Sequence, residues 1–386
     1  MKIIGSRAAG VLLVGAFSFC GLGCQSTGVS GQRIVQTTEL AAPSEPSAEQ
    51  AVSLETGTDS ADSADSNVLA FRANLVSLFS QDKYSDLDAI AAQLRSQRLR
   101  FKGGAWQLHV FYRTLTYPGS TTAMDAEWQA HIAKLERWRQ ESPASPTPRL
   151  ALAETYLRFA WKARGTGYAS TVTPEGSALF RQRVQSARGI LEEAAQISSA
   201  CPEWYRQMQT VALAQQWDRQ QYAALAAQAM NSDPGYFYNA IAEANYLLPK
   251  WYGQRGDTER FAGQVADKVG GAEGAALYFQ IAAAMNCCGR TQARAMSWPR
   301  VAQGFAALEQ LYGSTNYERN VMAYMALRAG DVATATQLFA RIGNDWDQSV
   351  WKSKARYDAS RTGRAIADVQ PVHADVSRTN NSSGSS

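Results

Sequence analysis

A chain of 386 residues, 45% hydrophobic and 10% aromatic, is long enough to bury a large core and too apolar for wholesale disorder. The formal net charge is only +4, so bulk charge gives no ground for nucleic-acid binding, and five Cys are too few for a disulfide-built scaffold. With 19% charged residues the composition also excludes a polytopic membrane protein, so most of the chain is expected to fold in water.

The first 24 residues combine basic Lys2 and Arg7, an apolar run from Ala8 to Phe19, and small residues before Cys24. This is the pattern of a secretory signal peptide, and the run is shorter than the roughly 20 apolar residues a membrane-spanning helix needs. Leu22-Gly23-Cys24 resembles the lipobox of bacterial lipoproteins, although the place three before the cysteine holds Gly21 and not Leu. The resemblance implies cleavage after residue 23 and lipidation of Cys24; an ordinary cleaved signal with a fortuitous cysteine is the alternative. Several acyl chains would anchor the protein stably where one would not. Cleavage lowers the formal charge to +2, because Lys2 and Arg7 leave without an acid. Gln25 in place of Asp after the lipidated residue implies, by the same resemblance, the outer membrane of a Gram-negative host, with the body facing the periplasm.

Residues 24–66 turn to Ser, Thr, Ala, Gly, Pro and acids, with Arg33 the only base, and no face repeats apolar residues. Such a segment reads as a disordered acidic linker, whose r.m.s. span as a flexible coil is roughly 35 Å. Residues 67–360 read as a helical body and residues 361–386, ending Asn-Asn-Ser-Ser-Gly-Ser-Ser, as a disordered tail.

Within the body, apolar residues recur at helical spacing almost everywhere: Leu87, Ile90, Ala91 and Leu94; Leu150, Ala153, Leu157 and Ala160; Val301, Phe305, Leu308 and Tyr312. The expected fold class is all-α. Starts are signalled by Ser85-x-x-Asp88 and Thr122-x-x-Asp125 at capping-box spacing and by Thr147-Pro148 and Thr173-Pro174. Stops are signalled by Gly165, Gly253, Gly313, Gly330 and Gly343. The helices fall into pairs, with second helices expected near Asp82, Asp125, Glu175, Asp218, Asp257, Trp298 and Asp331. Ala323, Gly330-Asp331, Ala335 and Phe339 match the small-turn-small-aromatic order of tetratricopeptide-like repeats, and this resemblance implies an irregular α-solenoid with a concave binding surface. At larger scale Trp106-Gln-Leu-His109, Trp161 to Tyr168, Leu248-Pro-Lys-Trp-Tyr252 and Leu338 to Gly343 resemble an uncharacterised bacterial family, the domain of unknown function numbered four thousand and thirty-four, which implies a shape but no activity.

The strongest candidate site is Trp161-Lys162-Ala163-Arg164-Gly165-Thr166-Gly167-Tyr168. Lys162 and Arg164 could receive an anion between stacking walls from Trp161 and Tyr168, or simply complement a helix C-terminus. Tyr236, Phe237 and Tyr238 are consecutive, so at least one is expected to line a groove. Only His109, His131 and His373 are available, no catalytic signature is present, and His109 and His131 read as ordinary core or surface residues. Carboxylate pairs drawn from Glu127, Glu136, Glu154, Glu192 and Glu193 carry no signal. Cys201, Cys287 and Cys288 are expected as free thiols, with a strained Cys287–Cys288 bond the alternative. The expectation is therefore a non-enzymatic scaffold, lipid-anchored at Cys24, without cofactor, metal or nucleic acid, binding an envelope protein or peptide. The alternative is a small-ligand receptor or hydrolase with its site near Lys162, Arg164 and Tyr168.

Overall fold

Helix starts in the computed structural model fall within two residues of the places expected for the second helices, though not always on the expected caps. The structure describes residues 66–120, 123–165, 171–197, 201–286 and 296–363. The signal segment, Cys24, the acidic linker, Tyr168, Cys287, Cys288, His373 and nearly all of the tail therefore lie outside the described residues. Among those described, regular structure is helical: α1 (Ser66–Ser80), α2 (Tyr84–Gln97), α3 (Gln107–Thr114), α4 (Asp125–Glu141), α5 (Thr147–Arg164), α6 (Pro174–Ile197), α7 (Pro202–Ala214) and α8 (Arg219–Ser232). They are followed by α9 (Phe237–Tyr246), α10 (Asp257–Val269), α11 (Gly271–Asn286), α12 (Trp298–Tyr312), α13 (Asn316–Ala329), α14 (Val332–Ile342) and the short α15 (Gln348–Trp351) and α16 (Lys354–Arg361). The seven expected second helices are α2, α4, α6, α8, α10, α12 and α14, each beginning within two residues of the place given above.

The local chemistry explains most of these boundaries and corrects some. Asp218 accepts from the backbone N–H groups of Gln220 and Gln221, Asp331 from Thr334, and the Thr173 hydroxyl from Gly176, so three orphan helix ends are satisfied as expected. Ser85 is not a cap. Helix α2 already begins at Tyr84, and Asp88 instead accepts from Trp138 Nε1 at 3.2 Å and Ser145 Oγ at 2.6 Å. The expected Thr122–Asp125 box is replaced by Glu127, which accepts from the Met124 N–H at 2.7 Å, Thr122 itself lying outside the described residues. Thr147 is the first residue of α5, and Ser145 Oγ accepts from its N–H. Gly165, Gly313, Gly330 and Gly343 follow helices with positive φ, but Gly253 closes no helix. Its reason is space: a Cβ there would lie 1.9 Å from the Leu247 carbonyl oxygen.

Contacts between helices follow a regular order. Each odd-numbered helix from α1 to α13 touches the next odd-numbered one, and each even-numbered helix from α2 to α12 touches the odd helix after it. Odd helices are consequently the inner ones. Fourteen of the eighteen residues of α5 and eight of the ten of α9 are buried, against four of the seventeen of α4. The chain also covers part of this inner set with its own backbone. Between α2 and α3, Arg100 and Trp106 form an isolated antiparallel bridge, and the Arg100 guanidinium lies 3.6 Å from the Trp106 ring centroid. Both side chains donate to the Gly235 carbonyl, at 3.1 Å each, while the loop between them touches α12. Gly103, at φ +80°, approaches Glu318 of α13 so closely that a Cβ would sit 2.6 Å from its Oε1.

Burial overturns one expectation. Tyr236, Phe237 and Tyr238 are all buried and none faces a groove, because α9 is contacted by α7, α8, α10 and α11 and so has core on every side.

Candidate functional site

Two places in the helical body concentrate functional side chains. The first is a cavity of about 550 Å³ between the C-terminal half of α5, the first half of α6, the end of α7 and the turn after α9. Its aromatic walls are Trp161, Phe180, Trp251 and Tyr252, with Trp161 edge-on to Phe180 at 4.8 Å between ring centroids and to Trp251 at 6.4 Å. Among the described residues, Arg164 and Arg181 are the charged residues of its lining, and no carboxylate, histidine or cysteine lines it. Arg164 is buried, its guanidinium 5.7 Å from the Trp161 ring centroid, whereas Arg181 is exposed and donates to the Ser177 hydroxyl at 2.7 Å. The Trp251 indole N–H is buried and has no acceptor among the described residues.

The cationic turn of the sequence is thereby divided. Trp161 and Arg164 face the cavity, but Lys162 pairs with Asp125 of α4 at 2.5 Å, and Arg183 of α6 reaches the same carboxylate at 3.3 Å. Asp125 thus ties three consecutive helices, and the Lys162 hydrogen bond, with help from Arg183, holds its carboxyl below the usual range. Tyr168 lies outside the described residues. Lys162→Gln should cost no more than about 1 kcal/mol, the worth of a part-exposed ion pair, and should leave the cavity intact, which urea denaturation can measure.

The chain matches no protein-family model, no curated protein and no solved structure. Its function is argued from its own residues.

The second place is a buried ionic network joining α3, α5, α7 and the start of α9, which sequence reasoning passed over. Glu203 accepts from His109 Nδ1 at 3.1 Å, from Arg206 Nε at 2.6 Å and from the Tyr236 hydroxyl. Arg206 also donates to Glu154, which accepts from Arg158 at 2.9 Å and lies 3.7 Å from Arg113. Tyr117 accepts from Arg158, and Tyr238 stacks on the His109 ring at 3.6 Å. Every one of these charged groups is buried. Burial pushes the Glu203 carboxyl upward, but the Arg206 charge, with the hydrogen bonds from His109 and Tyr236, outweighs it and holds the pKa at about 2. Burial lowers the His109 pKa, so the ring is neutral and carries its proton on Nδ1 toward Glu203.

The remaining sequence candidates are apart from both places. His131 bonds the Leu115 carbonyl at 2.9 Å and packs on Phe79, so the two described histidines serve different helices. Glu127 caps α4, and Glu136, Glu192 and Glu193 pair with surface arginines. Cys201 is a free, buried thiol whose pKa is raised by burial. Among the described residues no cluster of three or more His, Cys, Asp or Glu could hold a metal ion, and no helix is long and apolar enough to cross a membrane. Glu203 and Arg206 stand three residues apart on α7, a mixed polar and apolar helix that gives no signal, and their partners His109 and Glu154 are too distant in the chain for spacing to reveal.

Proposed function

We propose that the chain is a binding protein of the cell envelope, lipid-anchored at Cys24, built of tetratricopeptide-like helix pairs and acting by holding a ligand in the cavity walled by Trp161, Phe180, Trp251 and Tyr252. The repeat reading is supported by the regular odd-to-odd contacts, the way stacked helix pairs extend a continuous core. The binding reading is carried by the cavity itself: its volume is in the range of small-ligand sites, and its surface pairs aromatic walls with a few polar groups. Among the described residues the lining offers no carboxylate or histidine as a proton acceptor for hydrolysis, which suits retention of a ligand. Capture of a protein or peptide along the inner helices has less support, since α5 and α9 are buried nearly throughout and the Arg100–Trp106 loop already lies against α12 and Glu318.

Two experiments test these parts separately. Filling the cavity by Ala214→Trp, at the end of α7, should abolish the rise in melting temperature that a dialysable envelope extract gives the wild-type mature protein; an unchanged rise in the variant would refute the site. Cys24→Ala should move the protein from the membrane to the soluble periplasmic fraction, and unchanged membrane association would refute the anchor.

A further inference from the structure

We infer that the hairpin from Leu99 to Trp106 occupies, in cis, a docking seat on α11, α12 and α13, and that this seat fits a polypeptide partner whose basic turn carries two consecutive glycines. None of the residues involved lines the cavity, so the surface is a second and independent one. The hairpin is bonded to itself. The Phe101 N–H donates to the Ala105 carbonyl at 2.7 Å, the Gly104 N–H to the Phe101 carbonyl at 3.0 Å, and the Gln107 N–H to the Leu99 carbonyl at 3.0 Å. Its tip fits the seat by shape. Gly103 and Gly104 are both buried at positive φ, and a Cβ on Gly104 would lie 3.0 Å from the Gln280 amide nitrogen and from the Tyr312 ring, much as one on Gly103 would strike Glu318. Among the described residues, however, no hydrogen bond joins residues 101–105 to α11, α12 or α13. Phe101, the only aromatic side chain of those five, turns back to Phe71 of α1, with ring centroids 5.4 Å apart.

The seat keeps bonding capacity that the glycines do not use. Glu318 accepts from Thr315 through Oε2 and turns Oε1 toward Gly103, and the Gln280 amide has no hydrogen bond among the described residues. Burial raises the Glu318 pKa in spite of the Thr315 bonds, as expected of a carboxylate short of compensating charge. Charge then selects the occupant. Glu318 is joined by Glu273, whose carboxylate accepts from the Tyr312 hydroxyl at 2.6 Å, while Arg319 donates to the Ser314 carbonyl. The segment seated against these acids carries Arg98, Arg100 and Lys102: the Arg100 guanidinium lies 5.6 Å from the Tyr312 ring centroid, and the Lys102 stem covers Gly313. The base of the hairpin is tied down separately, by Arg98 on Asp233 at 3.1 Å and by the Arg100 and Trp106 bonds to the Gly235 carbonyl. A five-residue tip held by shape and charge above an anchored base is the kind of segment that opens locally, and a partner of the same chemistry can take its place.

The probe is a fluorescent synthetic peptide copying residues 98–107, titrated into the wild-type protein and into Gly103→Val. A valine at φ +80°, facing Glu318, should lift the tip and free the seat. In the wild type the tethered hairpin competes at an effective concentration of about millimolar, so the peptide should bind the variant at least about tenfold more tightly. Adding Glu318→Gln, which preserves the capping box of α13, should weaken that binding about tenfold, and a peptide carrying Gly103→Val and Gly104→Val should not bind. Equal affinity for the wild type and a variant with unchanged helical circular dichroism, or no binding to either, would overturn the inference. If Gly103→Val fails to fold, the wild type decides: the peptide with a benzophenone side chain in place of Phe101, at millimolar concentration, should photocrosslink to α12 or α13. Labelling elsewhere, or none, would overturn the inference as well.

Discussion

Glu203→Ala is expected to destabilise the protein by about 3–5 kcal/mol, the cost of removing one partner from a buried ion pair. The loss has three sources. Arg206 keeps its charge but loses its 2.6 Å acceptor, the His109 Nδ1–H and the Tyr236 hydroxyl lose theirs, and the truncated side chain leaves a void among helices that bury nearly all of their surface. Native domains are stable by only about 5–15 kcal/mol, so the variant should melt far below the wild type or fail to accumulate. A change below about 1 kcal/mol in urea denaturation would show that the network is not a structural hub. Acid should reach the same bond. Because the Glu203 pKa is depressed to about 2 from an ordinary 4.5, its contribution is complete above pH 4.5 and is lost as pH falls from there toward 2. The depressed His109 acts in the same direction from its ordinary 6.5 downward, since the unfolded ring takes up a proton that the buried one resists.

This network marks the boundary of what the sequence makes legible. Helix positions were readable because each depends on a few neighbouring residues: Asp218 and Asp331 satisfy N–H groups within three residues of themselves, and glycines admit the positive φ that ends a helix. The order of the helices was readable because cap and stop signals recur along the chain. Which side chains converge in space was not, because Glu203 lies 94 residues from His109 and Arg206 lies 52 from Glu154, and nothing local announces either contact. The candidate site was half legible for the same reason. A cation-rich helix end next to Trp161 is visible in one line of sequence, but the division of labour within it is not: Asp125, 37 residues upstream, claims Lys162 and leaves Arg164 to the cavity. Phe180 and Trp251, which complete the walls, come from elements whose approach to α5 only the fold supplies.

Glu243→Gln is expected to stabilise the protein, and only at neutral pH and above. Glu243 lies half-buried on α9, its carboxyl with no hydrogen bond or ion pair among the described residues, and burial raises its pKa from 4.5 to about 7. Below pH 4.5 the carboxyl is protonated whether the chain is folded or not, and it costs nothing. Between pH 4.5 and 7 the unfolded chain releases the proton while the folded one retains it, so stability falls as pH rises; above 7 the penalty is complete. A shift of this size corresponds to about 3 kcal/mol. Glutamine has the shape of the protonated acid and cannot ionise, so the substitution removes the penalty without opening a void. The variant and the wild type should melt together near pH 4.5 and diverge by roughly 5 °C or more at pH 8, with the variant higher. Glu203 and His109 titrate alike in both proteins, and their contributions cancel in the difference. A variant that melts at the wild-type temperature at both pH values would show that the Glu243 carboxyl is solvated in the folded chain, and one that melts lower at pH 8 would show that its charge has a partner.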